Sequence, residues 1–404
     1  MKGVKNVLML TGLFPQEIRS EIVSKSKYNI QFAADALQWS LLKGLSVYYD
    51  NFQVVNFPFV GSYPLLYGSP FIRTVKFGKQ DFDAVNVGYL NILGIKNFHI
   101  YSKAKKCIKE WAKETDGDKV VLIYAAYLPF LNAALSVKKQ VSDIKICVIL
   151  PDIPQFMNEY NNTFFKLYIR FLNKKLQQSL NSINGFVLLT KYMAERLSPE
   201  IPWTVVEGIF DSEDQQLYPK NKLTEKKTIL YTGSIAKRYG ILNLLEAFKL
   251  TTDPTYQLLI YGDGDAKEAI KLAEQNDKRI LYKGSVDRSE VLKIQKQSSL
   301  LVNPRTSEGE FTKYSFPSKT MEYLASGTPT LIYRLSGIPE EYYNYCYSIT
   351  DTSVSALAAK IEEILGLDRY VLEEMGEDAR KFIFEEKNPK KQCEKIFNLI
   401  EHII

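Results

Sequence analysis

The stretch YSFPSKTMEYLASGTP, Tyr314 to Pro329, places a lysine and a glutamate on one predicted helix. Pro317 suits the first helical turn, and Gly327 followed by proline is a normal helix stop. Capping rules therefore explain both ends of the segment. They do not explain Glu322, which lies about one turn into the helix.

The start of this helix has the chemistry of an anion site. A helix N-terminus offers free N–H groups and the positive end of a dipole, which suits a phosphate. A carboxylate one turn further in can accept hydrogen bonds from two vicinal hydroxyls, so Glu322 is predicted to bind a ribose. The residues predicted to meet the phosphate are Phe316, Pro317, Ser318 and Lys319.

Two glycine turns follow predicted strands in the second half of the chain. In YTGSIAKRYGI, Tyr231 to Ile241, a glycine lets backbone amides approach a ligand, and cationic side chains follow it. This combination suits a diphosphate, although a solvated basic turn explains it as well; the candidate residues are Gly233, Ser234, Lys237 and Arg238. In YGDGD, Gly262 indicates either a plain turn or close packing of a nucleoside base.

Other candidates also stand where predicted strands end. In open α/β sheets ligands bind at the carboxyl ends of the strands. Gly12 follows the first predicted strand and Arg305 follows SLLVNP, and both are predicted to bind the same ligand as the two glycine turns. Asp152 follows IKICVILP.

The elements that must position these residues alternate between apolar strand-like runs and helix-period segments. Such alternation predicts parallel sheets with helices on both faces. One set falls in each half, so we predict an α/β protein with two Rossmann-like domains facing across a cleft. The predicted domains are residues 1–205 and 206–386, with a last helix at 387–404 that packs back on the first. The runs are VKNVLML, DKVVLIY, IKICVIL, NGFVLLT, KKTILYTG, YQLLIYGDG, RILYKG, SLLVNP and TPTLIY.

Composition narrows the class of protein further. The chain has 404 residues, which suits two domains, and its four cysteines lack CxxC spacing, so reduced cytosolic thiols are expected. Only two histidines are present, which argues against a histidine metal site or a Ser-His-Asp triad. No run approaches the ~18 apolar residues of a spanning helix, and no secretory pattern begins the chain. We therefore expect a cytoplasmic protein.

The charge is unevenly distributed along the chain. The net charge is +6, but residues 1–205 alone carry 25 Lys and Arg against 15 Asp and Glu. Such a basic half indicates either an anionic partner or an excess of charge that only keeps the protein soluble. The segment Phe164 to Leu180, FFKLYIRFLNKKLQQSL, interleaves apolar and basic residues. This pattern indicates either a helix packed on the core or a segment that lies on the anionic inner face of the cell membrane.

The order of these motifs resembles that of a known enzyme family. GEFTKYSFPSKTMEYLASGTP, with YTGSIAKRYG and YGDGD upstream and GIPEEYY downstream, looks like the nucleotide-sugar domain of a GT-B glycosyltransferase. More narrowly, it is similar to the retaining family-four enzymes of bacterial capsular and exopolysaccharide synthesis. The match covers most of residues 205–365, and the first half resembles the family more loosely through GLFP, PDIPQFMN and FVLLTKYM.

Glu322 matches the second glutamate of the family's Glu-x7-Glu signature, which holds the donor ribose. Tyr314 stands where the first glutamate, which contacts the donor sugar, is expected. Glu310 or Glu308 is the predicted replacement, and Glu310 is taken as a catalytic candidate.

The family's diphosphate-binding arginine and lysine would fall at Ser234 and Tyr239, with Lys237 and Arg238 between them. The cleft histidine of the family is also missing, since the run IYAAYLPFL around Ala126 occupies its region. Asp152 is then the best polar group for an acceptor hydroxyl, unless it only caps the turn before Pro154.

The resemblance implies transfer of a hexosyl group from a nucleotide-sugar, with uridine diphosphate as the carrier and with retention of anomeric configuration. The acceptor is expected to be a saccharide, lipid-linked or part of a surface polysaccharide. Cationic side chains and helix amides would stabilise the departing diphosphate, so no metal and no cofactor are expected. The predicted partners are the nucleotide-sugar, the acceptor and an anionic membrane surface, without nucleic acid.

Two rival functions stay open. A GT-B phosphorylase or sugar-nucleotide epimerase would use the same fold, although the scarcity of histidine argues against the epimerase. A non-catalytic partner subunit of another transferase would explain the missing signature glutamate and histidine. Activity of the purified chain separates that rival from an enzyme.

Overall fold

A computed structural model describes residues 6–28, 30–78, 82–152, 173–212 and 226–404. The chain forms two compact units. The first contains Met1–Ile209 together with Pro389–Ile404, and the second contains Phe210–Asn388. The segment Phe164 to Leu180, considered above for a membrane surface, lies mostly outside the described residues.

The first unit is built on a sheet of eight strands, all parallel except at one edge, in the order β10-β9-β8-β7-β1-β2-β5-β4. Strands β3 and β6 form a separate antiparallel pair. The strands are β1 (Asn6–Thr11), β2 (Asn51–Asn56), β3 (Phe71–Ile72), β4 (Val75–Phe77), β5 (Asp83–Asn86), β6 (Tyr89–Leu90), β7 (Lys119–Tyr124), β8 (Ile144–Leu150), β9 (Gly185–Leu188) and β10 (Trp203–Val205).

The central strands of this sheet are buried on both faces. Every residue of β1 and β7 is buried, as expected for parallel strands covered by helices on both sides. Among the described residues, the helices that cover this sheet include Gln16–Lys25, Phe32–Leu45, Lys96–Glu114, Leu128–Lys138 and Pro389–Ile403.

The second unit has a parallel sheet of six strands, in the order β13-β12-β11-β14-β15-β16. Its strands are β11 (Lys227–Thr232), β12 (Tyr256–Tyr261), β13 (Ile280–Gly284), β14 (Leu300–Asn303), β15 (Thr330–Tyr333) and β16 (Tyr347–Ile349). Its α-helices are Ile241–Leu250, Lys267–Asn276, Arg288–Gln297, Ser318–Ser326, Val354–Leu365 and Arg369–Glu386. The predicted α/β class with parallel sheets is confirmed.

The last helix, Pro389–Ile403, packs on the first unit although it follows the second in sequence. Cys393, Ile396 and Ile400 are fully buried in the same apolar cluster as Val7 and Leu41. Gly44 makes this approach possible, because a Cβ there would lie 2.3 Å from the Pro389 carbonyl oxygen. In the described part of the chain, no helix is both long and apolar enough to cross a bilayer.

Candidate functional site

The carboxyl ends of three neighbouring strands in the second unit surround a cavity of about 290 Å³. Glycine turns after β11 and β12 form two of its walls, and the segment after β13 forms a third. Lys319, from the helix Ser318–Ser326, also lines it. The cavity is lined by Thr232, Gly233, Ser234, Tyr261, Gly262, Asp263, Ser285, Val286, Val291 and Lys319.

The two glycine turns are packed directly on each other. Gly233 and Gly262 have positive φ angles of 141° and 140°, and a Cβ on Gly262 would lie 1.7 Å from the Gly233 carbonyl oxygen. The Gly233 N–H donates to the Tyr261 carbonyl at 3.0 Å, which joins the end of β11 to the end of β12. Gly262 therefore requires glycine for its φ and for the contact with Gly233, whereas Gly233 requires it for its φ.

Glu322 and Lys319 form an ion pair at the start of the helix Ser318–Ser326. The Lys319 Nζ donates to the Glu322 Oε1 at 2.8 Å, and the Gln295 Nε2 donates to the same oxygen at 2.7 Å. Among the described residues Glu322 Oε2 has no hydrogen-bond partner, and 21% of the side chain is exposed. One carboxylate oxygen is thus fixed by the protein, while the other remains available to a ligand.

The charge state of Glu322 follows from these contacts. Burial by itself would raise the pKa of Glu322, but the Lys319 charge and the bonds from Lys319 and Gln295 lower it. The lowered pKa keeps this carboxylate ionised at neutral pH, in the state that accepts hydrogen bonds from hydroxyl groups.

A buried hydrogen-bond network, which was not identified from the sequence, holds Glu322 in position. The Tyr323 hydroxyl accepts from the Thr232 N–H at 2.8 Å and donates to the Thr232 carbonyl at 3.0 Å. Gln295 Nε2 bridges the Thr232 hydroxyl, at 3.1 Å, and Glu322. Thr232 is the last residue of β11, so the network ties the helix to the strand end that carries Gly233.

Removing the Tyr323 hydroxyl should destabilise the second unit. We expect Tyr323→Phe to cost about 1–3 kcal/mol of unfolding free energy, because it leaves the buried Thr232 N–H without its partner. Chemical unfolding followed by circular dichroism measures the change. The control is Tyr347→Phe in the same unit, whose buried hydroxyl already lacks a partner among the described residues. Equal losses in the two variants would contradict a supporting role for the network.

Glu322 and the remaining predicted donor-binding residues of the second unit do not line the cavity. The Lys237 N–H donates to Asp265 at 2.8 Å, and the side chains of Lys237 and Arg238 are exposed. Phe316 is buried, with its ring packed on Tyr342 at 5.3 Å between centroids. Pro317 precedes the first helical residue, the exposed Ser318, so only their backbone and the serine hydroxyl can face a ligand.

Arg305 is half-buried rather than free in solution. It donates to the Ser315 hydroxyl at 2.8 Å and stacks over Tyr239 and Phe311, at 5.5 and 4.9 Å from the ring centroids. Its Nε is buried without a partner among the described residues. Burial lowers the pKa of Arg305, although arginine remains charged under ordinary conditions.

Glu310 opens a short 3₁₀ helix, Glu310–Tyr314, after β14. The hydroxyl of Tyr314 donates to Glu310 Oε1 at 3.4 Å. The tyrosine in the position of the signature glutamate thus contacts a glutamate four residues earlier. Glu310 lies outside the lining of the 290 Å³ cavity.

The first unit has a larger cavity, of about 510 Å³, at the carboxyl ends of β1, β7 and β8. Gly12 and Asp152 both line it, so the predicted donor-binding Gly12 lies in a cavity of the first unit. Asp152 remains accessible to solvent, yet burial by the surrounding protein raises its pKa. Ala126, in the region of the missing histidine, lines the same cavity beside Ala125, which has a positive φ of 68°.

Buried polar residues of the helix Phe32–Leu45 shape this cavity, and sequence analysis missed them. Gln38 Oε1 accepts from the Gly12 N–H at 2.7 Å, and Asp35 Oδ1 accepts from the Phe14 N–H at 2.7 Å. Asp35 also pairs with Arg19. These bonds fix the turn after β1, and the carboxylate of Asp35 is already satisfied by the protein.

Comparisons with solved structures identify the fold of the whole chain. Sucrose-phosphate synthase from Thermosynechococcus elongatus is similar at a TM-score of 0.61 and 14% identity, over 98% of this chain and 99% of that one. A UDP-forming α,α-trehalose-phosphate synthase from Burkholderia xenovorans is similar at 0.63 and 11%, over 99% of each chain. A structure from E. coli described as trehalose-6-phosphate bound with UDP-2-fluoro glucose is similar at 0.63 and 10%, over 99% of this chain and 100% of that one.

This protein therefore has the GT-B fold of two Rossmann-like domains. Residues 213–397 match the model of the family glycosyl transferases group 1. The resemblance to GT-B glycosyltransferases is confirmed by both findings. No curated protein sequence matches the chain at a significant level.

Proposed function

We propose that the protein transfers a hexosyl group from a UDP-sugar to a saccharide acceptor, with retention of anomeric configuration. The observation that carries the proposal is the ion pair of Lys319 and Glu322 at a helix start beside the strand-end cavity. It stands within the domain that matches the glycosyltransferase family. The second unit is the proposed donor-binding domain, and the first unit is the proposed acceptor-binding domain.

In the donor site, Glu322 Oε2 accepts hydrogen bonds from the two ribose hydroxyls, while Oε1 stays bonded to Lys319 and Gln295. The diphosphate lies over the helix start and the Gly233–Ser234 turn, where N–H groups and the Lys319 ammonium neutralise it. Lys237, Arg238 and Arg305 supply further positive charge. Uridine diphosphate as carrier is supported by the two neighbours whose descriptions mention it.

The chemistry needs a stabilised leaving group and a positioned acceptor. The bond between the sugar's anomeric carbon and the diphosphate oxygen breaks, and the bond to the acceptor oxygen forms on the same face. The acceptor proton passes to the departing phosphate. Metal-independent transfer is proposed because helix amides and cationic side chains can stabilise the charge that develops on the diphosphate.

Two carboxylates are proposed to position the reactants. Glu310, in contact with Tyr314, binds hydroxyls of the donor sugar in place of the missing signature glutamate. Asp152 binds the acceptor hydroxyl in the cavity of the first unit. The acceptor is a lipid-linked saccharide of capsule or exopolysaccharide synthesis, and the basic charge of the first half supports a peripheral position on the inner face of a membrane.

The proposal is tested by incubating the purified chain with UDP-hexoses and a panel of lipid-linked saccharides. Release of UDP that depends on acceptor, with the new linkage in the donor's anomeric configuration by NMR, is the expected result. Binding of a UDP-sugar without turnover would instead favour the non-catalytic partner subunit. Inversion of configuration would overturn the retaining mechanism.

The role of Asp152 predicts a specific pH dependence. Because burial raises the pKa of Asp152, its ionised form is lost at a higher pH than the ~3.9 of an exposed aspartate. Transferase activity should therefore fall on acidification with an apparent pKa above that value. Asp152→Asn should lower kcat by roughly tenfold or more and remove this acidic limb. An unchanged pH profile in the variant would contradict the assignment.

A further inference from the structure

Six large apolar side chains are exposed on the chain segments that border the first-unit cavity. We call them the cavity rim: Tyr28, Leu65, Leu66, Leu93, Ile95 and Phe98. Tyr28, Leu65 and Phe98 are 70%, 68% and 71% exposed. Tyr28 and Leu66 also line the cavity itself, so the rim and the cavity wall are continuous. Exposed apolar groups of this size, gathered at one site, indicate an interaction surface.

The rim comes from three chain segments that are hydrogen-bonded into one surface. The Lys27 N–H donates to the Leu66 carbonyl at 3.0 Å, which joins the first two segments. The Tyr63 N–H donates to the Asn91 carbonyl at 2.8 Å, and the Leu93 N–H donates to the Tyr63 carbonyl at 3.2 Å. These backbone bonds hold the rim in place without any partner molecule.

The charge on the chain segments around the rim is mainly basic. Residues 22–34, 51–78 and 84–109 contain nine Lys and Arg and not one Asp or Glu. Three of these cations pair with carboxylates that directly flank the segments: Lys25 and Arg73 with Glu21, and Lys106 with Glu110. Lys27 and Lys96 donate only to the carbonyls of Pro64 and Val60 among the described residues. Apolar side chains beside a surplus of basic ones suit a bilayer that contains anionic lipid.

We infer that the cavity rim docks on an anionic lipid bilayer and opens the first-unit cavity toward it. The inference rests on the proposed function, for which it defines the route of a lipid-linked acceptor. Rim side chains insert among the acyl chains, while Lys27 and its basic neighbours meet the headgroups. The apolar part of the cavity wall, with Tyr28, Leu66 and Ile100, then receives the acceptor without exposing its lipid to water.

Lys96 gives the cavity a charge that suits such a ligand. Its side chain lines the cavity, and burial lowers its pKa to about 8. Within the described residues this ammonium has no carboxylate partner. A phosphate that links lipid to saccharide would therefore form an ion pair with it.

The test is flotation of the full chain with vesicles of phosphatidylcholine alone or with added phosphatidylglycerol. We expect binding to the anionic vesicles that weakens as salt rises from about 0.1 M to about 1 M. The triple variant Leu65→Ser/Leu93→Ser/Phe98→Ser should weaken the partition by roughly tenfold or more, because three inserting side chains are lost. The matched control, Leu250→Ser/Leu272→Ser/Tyr370→Ser, removes three similarly exposed apolar groups from the second unit and should bind normally.

Three results would overturn the inference. They are no binding to anionic vesicles, equal binding by the triple variant, or a rim-dependent dimer in solution that binds no vesicles. Titration of each variant with UDP distinguishes failure of the membrane-docking inference from failure of the proposed function. UDP binding with no vesicle binding refutes only the membrane face, whereas vesicle binding without any nucleotide binding refutes the donor site.

Discussion

Glu322→Ala should abolish most of the donor affinity of this protein while leaving its fold intact. The substitution removes a charged acceptor that is proposed to hold two ribose hydroxyls. Hydrogen bonds to charged groups contribute about 1.5–3 kcal/mol each, so the loss should be on the order of a hundredfold or more in Kd for UDP. The fold should survive because the side chain is 21% exposed and Gln295 keeps its bond to Thr232.

Two further variants isolate the role of the carboxylate. Glu322→Gln keeps the shape and one acceptor oxygen but loses the charge, so an intermediate loss of affinity is expected. Glu374→Ala removes an exposed carboxylate from the helix Arg369–Glu386 of the same unit and should leave UDP affinity unchanged. Calorimetric titration measures all three, and wild-type affinity in Glu322→Ala would remove the basis of the donor site.

The same carboxylate links folding to pH. Because the pKa of Glu322 is lowered by folding, its contribution to stability is present above the unfolded pKa of about 4.3 and is lost as the pH falls through the folded value. The wild-type chain and Glu322→Ala should therefore differ less in unfolding free energy under acidic conditions than near neutrality.

Gly262→Ala should cause the largest loss of stability of any single change considered for the second unit. The new Cβ would lie 1.7 Å from the Gly233 carbonyl oxygen, and the backbone φ of 140° is one that alanine rarely adopts. Backbone strain and overpacking together should cost about 2–5 kcal/mol. Because the collision forces the two glycine turns apart, the donor cavity should also be lost.

Spectroscopy can localise this effect to one unit. The three tryptophans, Trp39, Trp111 and Trp203, all lie in the first unit, so fluorescence reports its unfolding, whereas circular dichroism reports both units. Gly262→Ala should shift a circular dichroism transition and leave the fluorescence transition in place. The control is Gly284→Ala, with a φ of 68° and no atom within 4 Å of the new Cβ, which should cost only about 1–2 kcal/mol. Equal costs at both sites would contradict steric contact between the turns as the cause.

The fold could be predicted from sequence because strand and helix periods alternate plainly. Runs such as DKVVLIY are mainly apolar, and every residue from Lys119 to Tyr124 is buried in the centre of a parallel sheet. The prediction that ligand-binding turns follow these strands depends only on topology, since the carboxyl ends of parallel strands share one edge. Gly233, Gly262 and Lys319 accordingly lie around one cavity.

The rest of the site could not be predicted, because its residues are far apart in the chain and ordinary in type. Gln295 bonds to Glu322 across 27 positions, from a helix whose pattern shows no sign of function. In the sequence, Lys96 is an ordinary lysine near the start of a helix, and only the structure shows that it lines the cavity. The ring of Phe316 belongs to the core, whereas the motif around it suggested ligand contact.

The most direct test of the donor site is calorimetric titration of the purified protein with UDP, UDP-glucose, UDP-galactose, UDP-N-acetylglucosamine and GDP-mannose. We expect UDP and one UDP-sugar to bind, and we expect both binding signals to disappear in Glu322→Ala but not in Glu374→Ala. Binding of no nucleotide, or binding that survives Glu322→Ala, would contradict it.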